Sequence, residues 1–130
     1  MAHPNENLLR DVYAAFGQGN PQPFLDACSD DVVYTVPGNT LGSGKHSKAD
    51  FNEWMGGVMA PTNGTFREEI VELAANDDSA ILLLDHQFDR DGKHRQYFTA
   101  HVLRFKDGKI SSWTEMPGSL REFEDAWGTR

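Results

Sequence analysis

The fold is decided by residues 79–116, which have the sequence SAILLLDHQFDRDGKHRQYFTAHVLRFKDGKISSWTEM. Aliphatic and aromatic residues alternate with polar ones here, as in strands that bury one face. Two Asp-Gly pairs, Asp91-Gly92 and Asp107-Gly108, interrupt the alternation, and such pairs favour tight hairpin turns. The stretch therefore predicts three consecutive antiparallel strands, at residues 79–89, 95–106 and 109–116.

A fourth strand is predicted immediately before this stretch, at residues 66–75. The polar run Asn76-Asp77-Asp78 separates it from the next strand and is typical of a turn. A further short strand is expected at residues 32–36, where Pro37-Gly38 ends it. A loop is expected at residues 38–44. The second half of the chain thus predicts an antiparallel sheet.

The remaining segments predict helices. Leu8, Leu9, Val12, Tyr13 and Phe16 share one helix face, with Asn5 as the expected cap and Gly17 as the end. A short second helix is expected from Asn20 to Asp30-Asp31. A third helix follows the capping pair Ser47 and Asp50, and a final helical turn follows Ser119. Helices followed by hairpin strands indicate one α+β domain over residues 1–130.

Composition excludes several classes of function. The chain has 20 acidic and 12 basic residues and a net charge of −8, so it lacks the basic surface that nucleic acid requires. Its longest apolar run, residues 80–84, is far shorter than the roughly 20 residues of a membrane span. No signal peptide is expected, and the single cysteine, Cys28, fits a cytoplasmic location. We therefore expect neither a nucleic-acid nor a membrane partner.

Several local strings resemble the nuclear transport factor 2-like superfamily, and within it the SnoaL-like and ketosteroid-isomerase-like proteins. The strings are LRDVYAAFGQGN at residues 9–20, SDDVVYTVPG at 29–38, residues 42–51 and HVLRFKDGKISSW at 101–113. The resemblance implies a cone-shaped fold in which three N-terminal helices pack on a curved antiparallel sheet and enclose an apolar pocket. Its steroid-isomerase catalytic positions fall on Val12, Val36 and His101, so that mechanism is not expected here.

Strand alternation, with its phase taken from the resemblance, predicts which side chains face the pocket. If His101 points inward, then Tyr97 and Thr99 do so as well. The last strand leaves two alternatives, because a tight turn directs Ile110, Ser112 and Thr114 inward whereas a bulged register directs Ser111, Trp113 and Glu115 inward. The resembling family favours the bulged register.

The resulting pocket is mostly aromatic and aliphatic, with a few convergent polar groups, as is typical of small-molecule sites. His101, Glu115 and Tyr34 are the candidate catalytic residues, because imidazole and carboxylate groups move protons and a tyrosine stabilises an oxyanion. The expected ligand-binding residues are Tyr13, Phe16, Val36, Phe51, Trp54, Met55, Met59, Leu84, His86, Tyr97, Thr99 and Trp113.

These residues predict a small-molecule pocket protein that performs acid–base catalysis on a hydrophobic, oxygenated compound without a cofactor. Isomerisation, cyclisation, dehydration and hydrolysis remain open. No compact metal-ligand spacing occurs, so no metal is expected. The alternative is a non-catalytic ligand-binding or dimerisation module. Ile81 and Leu83, on the other face of an already apolar strand, predict a homodimer.

Overall fold

The computed structural model describes residues 2–130. The helices are α1 (Pro4–Gly17), α2 (Gln22–Ala27), α3 (Phe51–Met59) and α4 (Leu120–Trp127), with a 3₁₀ turn at Ala60–Thr62. The strands are β1 (Cys28–Val36), β2 (Gly44–Ser47), β3 (Arg67–Ala75), β4 (Ser79–Arg90), β5 (Lys93–Lys106) and β6 (Lys109–Pro117). The α+β class is confirmed.

The six strands form one sheet in the order β2-β1-β6-β5-β4-β3. Neighbouring strands are antiparallel except for β1 and β6, which are parallel. The long hairpin of β4 and β5 pairs without interruption from Ser79↔Arg104 to Arg90↔Lys93. Strands β4 and β5 lie between β6 and β3, and these four strands carry most of the polar side chains of the site.

The burial of β4 alternates as the sequence predicts. Leu82, Leu84 and Phe88 are at most 1% exposed, whereas Ile81 is 55% exposed and Leu83 is 38% exposed. The even-numbered residues therefore face the helices, and the odd-numbered residues face outward.

A one-residue bulge in β6 determines which of its side chains face the helices. The turn itself is tight, with Lys106 paired to Lys109 and Phe105 paired to Ile110, and the register then shifts so that His101 pairs with Glu115. The bulged register is thus correct for Trp113 and Glu115, which are 8% and 7% exposed. The predicted inward orientation of Ser111 is wrong, because the bulge comes after Ile110. Ile110 itself faces inward and is fully buried.

Several element boundaries differ from the predicted ones. His3, not Asn5, caps α1, because its side chain accepts a hydrogen bond from the Asn5 backbone N–H. The second helix already ends at Ala27, and Cys28 begins β1. Strand β2 was not predicted: it begins at Gly44, the last residue of the expected loop, and pairs with β1. The helix count is four rather than three, since the final turn forms the complete helix α4.

Helices α1 and α3 supply the inward-facing apolar residues opposite the sheet. Leu9, Val12 and Tyr13 of α1 are buried, as is Phe51 of α3. Helix α4 lies against β5 and buries Phe123. Within residues 2–130, no helix combines the length and apolarity required to cross a bilayer.

We expect Leu84→Ala to reduce the free energy of unfolding by about 2–5 kcal/mol, because the fully buried side chain leaves a cavity when it is truncated. The matched control is Leu41→Ala, since Leu41 is 57% exposed and its truncation costs within about 0.5 kcal/mol. Urea denaturation of both variants measures the difference. If both variants lost the same free energy of unfolding, the assignment of the even-numbered residues of β4 to the buried face would be contradicted.

Candidate functional site at the polar end of the cavity

A cavity of about 90 Å³ lies between the helices and the inner face of the sheet. A water needs roughly 10–15 Å³ by the same measure, so the cavity admits several waters or a small organic group. Its walls are mostly aromatic and aliphatic, and its polar groups come mainly from β3, β4, β5 and β6. The exposed Leu41 and the half-buried Phe16, Met55 and Met59 also line it, which places them between interior and solvent.

Most of the residues predicted for the pocket line this cavity. They are Tyr13, Phe16, Tyr34, Val36, Phe51, Trp54, Met55, Met59, His86, Tyr97, His101, Trp113 and Glu115. Leu84 and Thr99 do not line it, although both face inward and are at most 1% exposed. Their side chains belong to the core because the neighbouring residues cover them.

Tyr34 has a different environment from the one expected of a catalytic tyrosine. Its ring stacks on Trp54, with 5.7 Å between ring centroids. Its hydroxyl donates a hydrogen bond to the Cys28 sulfur, 3.3 Å away. Burial raises the pKa of Tyr34 well above its ordinary value, so the phenol stays neutral. Tyr34 therefore contributes a wall of the cavity, and its hydroxyl is already engaged.

His101 belongs to a chain of hydrogen bonds that we call the His101 arm, formed by Trp113, Tyr13 and His101. The Trp113 indole N–H donates to the Tyr13 oxygen at 3.1 Å. The Tyr13 hydroxyl lies 2.7 Å from His101 Nδ1. Because an indole N–H can only donate, the hydroxyl hydrogen of Tyr13 is free to bind Nδ1. A neutral His101 then carries its hydrogen on Nε2.

A second chain, the His86 arm, is formed by Trp127, Tyr97, His86 and Glu68. The Trp127 indole N–H donates to the Tyr97 oxygen at 2.6 Å, and that hydroxyl lies 2.9 Å from His86 Nδ1. The other ring nitrogen, His86 Nε2, lies 2.6 Å from Glu68 Oε2. The two arms share the order tryptophan, tyrosine, histidine, and only the His86 arm ends on a hydrogen-bonded carboxylate.

Glu115 lies between the two arms. Its Oε2 is 3.8 Å from His101 Nε2 and 3.9 Å from His86 Nδ1. Both separations exceed a hydrogen bond, so the attraction is electrostatic. Glu115 Oε2 and His101 Nε2 are both buried, and neither has a hydrogen-bond partner in the structure. The site thus holds an unpaired acceptor beside an unpaired imidazole nitrogen.

The charges of these groups shift one another's pKa values. Burial alone raises the pKa of Glu115, but the neighbouring His101, His86 and Thr99 outweigh it and lower that pKa overall. Burial lowers the pKa of His86, yet its hydrogen bond to Glu68 and the nearby carboxylate charges raise it overall. Burial and the same carboxylates raise the pKa values of Tyr13 and Tyr97, so both tyrosines remain neutral donors.

Sequence reasoning missed Glu68, Phe66 and Trp127, which also line the cavity. Glu68 pairs with His86 across β3 and β4 only because the register shifts by one residue between Ile70 and Glu72. Without that bulge, the neighbouring Glu69 would face inward. No turn residue marks the bulge in the sequence. Trp127 was recognised as an apolar residue of the last helical turn, but its position against Tyr97 depends on how α4 folds back.

Glu68, His86 and His101 form a cluster in which one potential metal-ligating atom of each lies within 4.8 Å of the others. The 2.6 Å contact between Glu68 and His86 is shorter than expected for two ligands that each lie about 2.0–2.2 Å from a metal at a tetrahedral angle. It has the length of a charge-assisted hydrogen bond. We therefore interpret this contact as proton-bridged.

Comparisons with known proteins agree with this architecture. The sequence model of the SnoaL-like domain family matches residues 9–113. The fold is similar to that of Bal32a from a soil-derived mobile gene cassette, with a TM-score of 0.86, 23% identity, and coverage of 95% of each chain. A comparison with curated proteins found no match.

Two further solved structures have similar folds. A Xanthomonas campestris protein of unknown function with a cystatin-like fold has a TM-score of 0.82 and 24% identity, covering 98% of this chain and 99% of that one. TerC, co-crystallised with polyporic acid, has a TM-score of 0.81 and 18% identity, covering 98% of this chain and all 100% of TerC. At these identities the likeness concerns the fold.

The pKa shifts predict that stability depends on pH in a defined way. The raised pKa of His86 adds stability that is complete below the ordinary histidine pKa, about 6.5, and is lost as pH rises through the raised value. The lowered pKa of Glu115 adds stability that is complete above the ordinary glutamate pKa, about 4.3, and is lost at lower pH. Both contributions are therefore present between about pH 4.3 and 6.5.

Urea denaturation from acid to alkaline pH measures this dependence. We expect Glu68→Gln to reduce the decline in stability on the alkaline side, because His86 loses the carboxylate that favours its charged form. Glu69→Gln is the matched control, since Glu69 is exposed on the same strand and its substitution should preserve the wild-type profile. If Glu68→Gln and wild type had identical profiles of stability against pH, Glu68 would not be the group that raises the pKa of His86.

Proposed function

The chain belongs to the SnoaL-like domain family, and from that premise we propose that it catalyses proton transfer on a small, hydrophobic, oxygenated molecule without a cofactor. The apolar walls would hold the carbon skeleton of the substrate. The polar groups from β3 to β6 would bind its oxygen and move the proton. TerC, which has a similar fold, was co-crystallised with the small molecule polyporic acid, and this supports a ligand in the cavity.

The observation that carries the proposal is the unpaired couple formed by His101 Nε2 and Glu115 Oε2. Leaving buried polar atoms without hydrogen bonds costs about 1–3 kcal/mol each, so a ligand that pairs both gains that energy. The two atoms are 3.8 Å apart, so a hydroxyl oxygen to one side of the pair would lie about 2.8 Å from each. It would accept from Nε2–H and donate to the carboxylate. Binding would thus bring the substrate hydroxyl into contact with both His101 and Glu115.

The arrangement suggests a role for each group. Glu115, ionised because its pKa is lowered, would accept a proton from the substrate. His101, held in its Nε2–H tautomer by Tyr13, would donate a hydrogen bond to a substrate oxygen and keep its proton. The same Nε2–H would stabilise a developing oxyanion, since the Tyr34 hydroxyl already donates to Cys28 and the Tyr97 hydroxyl lies 2.9 Å from His86 Nδ1. Isomerisation, cyclisation, dehydration and hydrolysis are all compatible with these roles.

A benzisoxazole tests the site before the natural substrate is known. Its ring opens when a base removes one proton from carbon, and the phenolate product absorbs light. We expect His101→Phe and Glu115→Gln each to reduce turnover by about 10²–10⁴-fold, the usual contribution of general acid–base catalysis. The double variant should lose little more than the worse single variant, because the two residues act as a unit.

His94→Gln is the matched control, because His94 is exposed and is not among the cavity-lining residues; its turnover should equal that of wild type. Full additivity of the two losses would contradict a shared role for His101 and Glu115. Saturable quenching of tryptophan fluorescence without any turnover would instead favour a non-catalytic binding module, since Trp54 and Trp113 both line the cavity.

We also propose that the protein is a homodimer formed through the outer face of the sheet. Ile81, Leu83, Phe98 and Met116 are between 38% and 55% exposed. Strand pairing places them together, because Leu83 pairs with Ala100, which pairs with Met116, and Asp85 beside Leu83 pairs with Phe98. A contiguous apolar patch on a sheet face is typical of a surface that a partner covers.

Leu83→Glu should convert the dimer to a monomer in sedimentation velocity, because the interface would bury two carboxylates without partners. Leu41→Glu is the control, since Leu41 is also an exposed leucine but lies on a loop that lines the cavity; this variant should remain dimeric. A monomeric wild-type protein, or a dimeric Leu83→Glu variant, would contradict the proposal.

A further inference from the structure

The His86 arm is not used by the catalytic roles assigned above, yet it is built as completely as the His101 arm. The Glu68 and His86 side chains are 7% and 5% exposed. Their 2.6 Å contact and the 2.9 Å contact to Tyr97 occupy both ring nitrogens of His86. A histidine that served only to fill the core would not require a buried carboxylate, because that carboxylate is itself costly to desolvate.

We propose, on the basis of the proposed function, that Glu68 is a positioning residue that orients His86 so that the His86 arm takes up the proton that Glu115 removes from the substrate. His86 Nδ1 is the nitrogen that faces both the Tyr97 hydroxyl, at 2.9 Å, and Glu115 Oε2, at 3.9 Å. The His86 arm therefore ends beside Glu115 Oε2, the atom that would hold the substrate's proton after the chemical step.

The transfer balances with proton movements alone. A neutral His86 donates its Nε2 hydrogen to Glu68 and accepts the Tyr97 hydroxyl hydrogen at Nδ1. When Glu115 has become protonated, it gives its proton to the Tyr97 oxygen as Tyr97 gives its own to His86 Nδ1. Glu115 is again ionised, Tyr97 is unchanged, and His86 is an imidazolium paired with the Glu68 carboxylate. The imidazolium then releases its proton to solvent to complete the cycle.

Charged and titratable groups surround His86, and the carboxylates among them raise its proton affinity. Glu68 on β3 makes the direct contact, whereas the Glu115 carboxylate is 3.9 Å away. The His101 ring centroid lies 5.6 Å from that of His86. Glu68, Tyr97, His101 and Glu115 lie on the same side of the sheet as His86, whereas the neighbouring Asp85 acts from the outer face of β4. Removing Glu68 is therefore the change that acts on His86 through a hydrogen bond without altering Glu115.

The relay predicts how turnover depends on pH. His86 must be neutral to accept the proton, so kcat should rise as pH increases through the pKa of His86. Glu68 favours the charged form of His86, so Glu68→Gln should lower that pKa by about 1–3 pH units, as expected when an opposite charge within a few ångströms is removed. The acid limb of kcat should move to lower pH by the same amount.

Two measurements on the 130-residue protein test this. NMR titration of the imidazole nitrogens gives the pKa of His86 without any substrate, and benzisoxazole turnover gives the pH profile of kcat. Glu69→Gln is the matched control and should change neither. Equal shifts of the NMR pKa and the acid limb in Glu68→Gln support the relay, whereas a shifted NMR pKa with an unmoved limb would show that Glu68 and His86 form only a structural ion pair.

A second variant keeps the test decisive if Glu68→Gln does not fold. Tyr97→Phe retains the ring and removes the hydroxyl that lies 2.9 Å from His86 Nδ1 and through which the proposed transfer passes, so kcat should fall by about 10²-fold, in the range of proton-transfer contributions. Wild-type turnover by Tyr97→Phe would overturn the relay. Absence of benzisoxazole turnover in the wild-type protein would instead overturn the proposed function together with the relay, and so the two failures are distinguishable.

Discussion

Two carboxylates buried in a mostly apolar cavity are the constraint on which the arrangement of the site depends. Each ionised carboxylate costs several kcal/mol to desolvate unless charges and hydrogen bonds compensate. Glu68 meets this requirement through a 2.6 Å contact with His86, whereas Glu115 is stabilised by two imidazoles at 3.8 and 3.9 Å and by Thr99. The two carboxylates therefore differ in kind: Glu68 is paired, and Glu115 remains available to a ligand.

Tyrosine and tryptophan side chains connect the two buried histidines to the surrounding helices through hydrogen bonds. Tyr13 on α1 and Tyr97 on β5 each contact the Nδ1 atom of one histidine, and each phenol oxygen also accepts an indole N–H. These contacts prevent the imidazole rings from turning and direct the Nε2 atoms toward the carboxylates. Helices α1 and α4 thus contribute to the chemistry of the site as well as to the core, since α4 supplies Trp127.

The sequence predicts the fold and the inward face of the central hairpin well, and the reason is local. Asp-Gly turns and strict alternation along β4 and β5 leave one phase in which Leu82, Leu84 and His101 are all buried. The orientation of the two carboxylates is harder to predict, because each faces inward only after a one-residue bulge, in β3 for Glu68 and in β6 for Glu115. The family resemblance supplied the phase of β6. Nothing supplied that of β3, so Glu68 was missed.

The positions of the bulges also explain how this fold accommodates a different site from that of the steroid isomerases it resembles. The positions expected for their tyrosine and general base hold Val12 and Val36, so neither position supplies a titratable group to the cavity. The titratable groups lie instead on β3 to β6, where a bulge reverses the direction of every residue beyond it within the strand. A single inserted residue can therefore exchange an outward glutamate for an inward one without changing the topology. In such a sheet, the chemistry of the cavity depends on bulge placement as much as on which residues the strands contain.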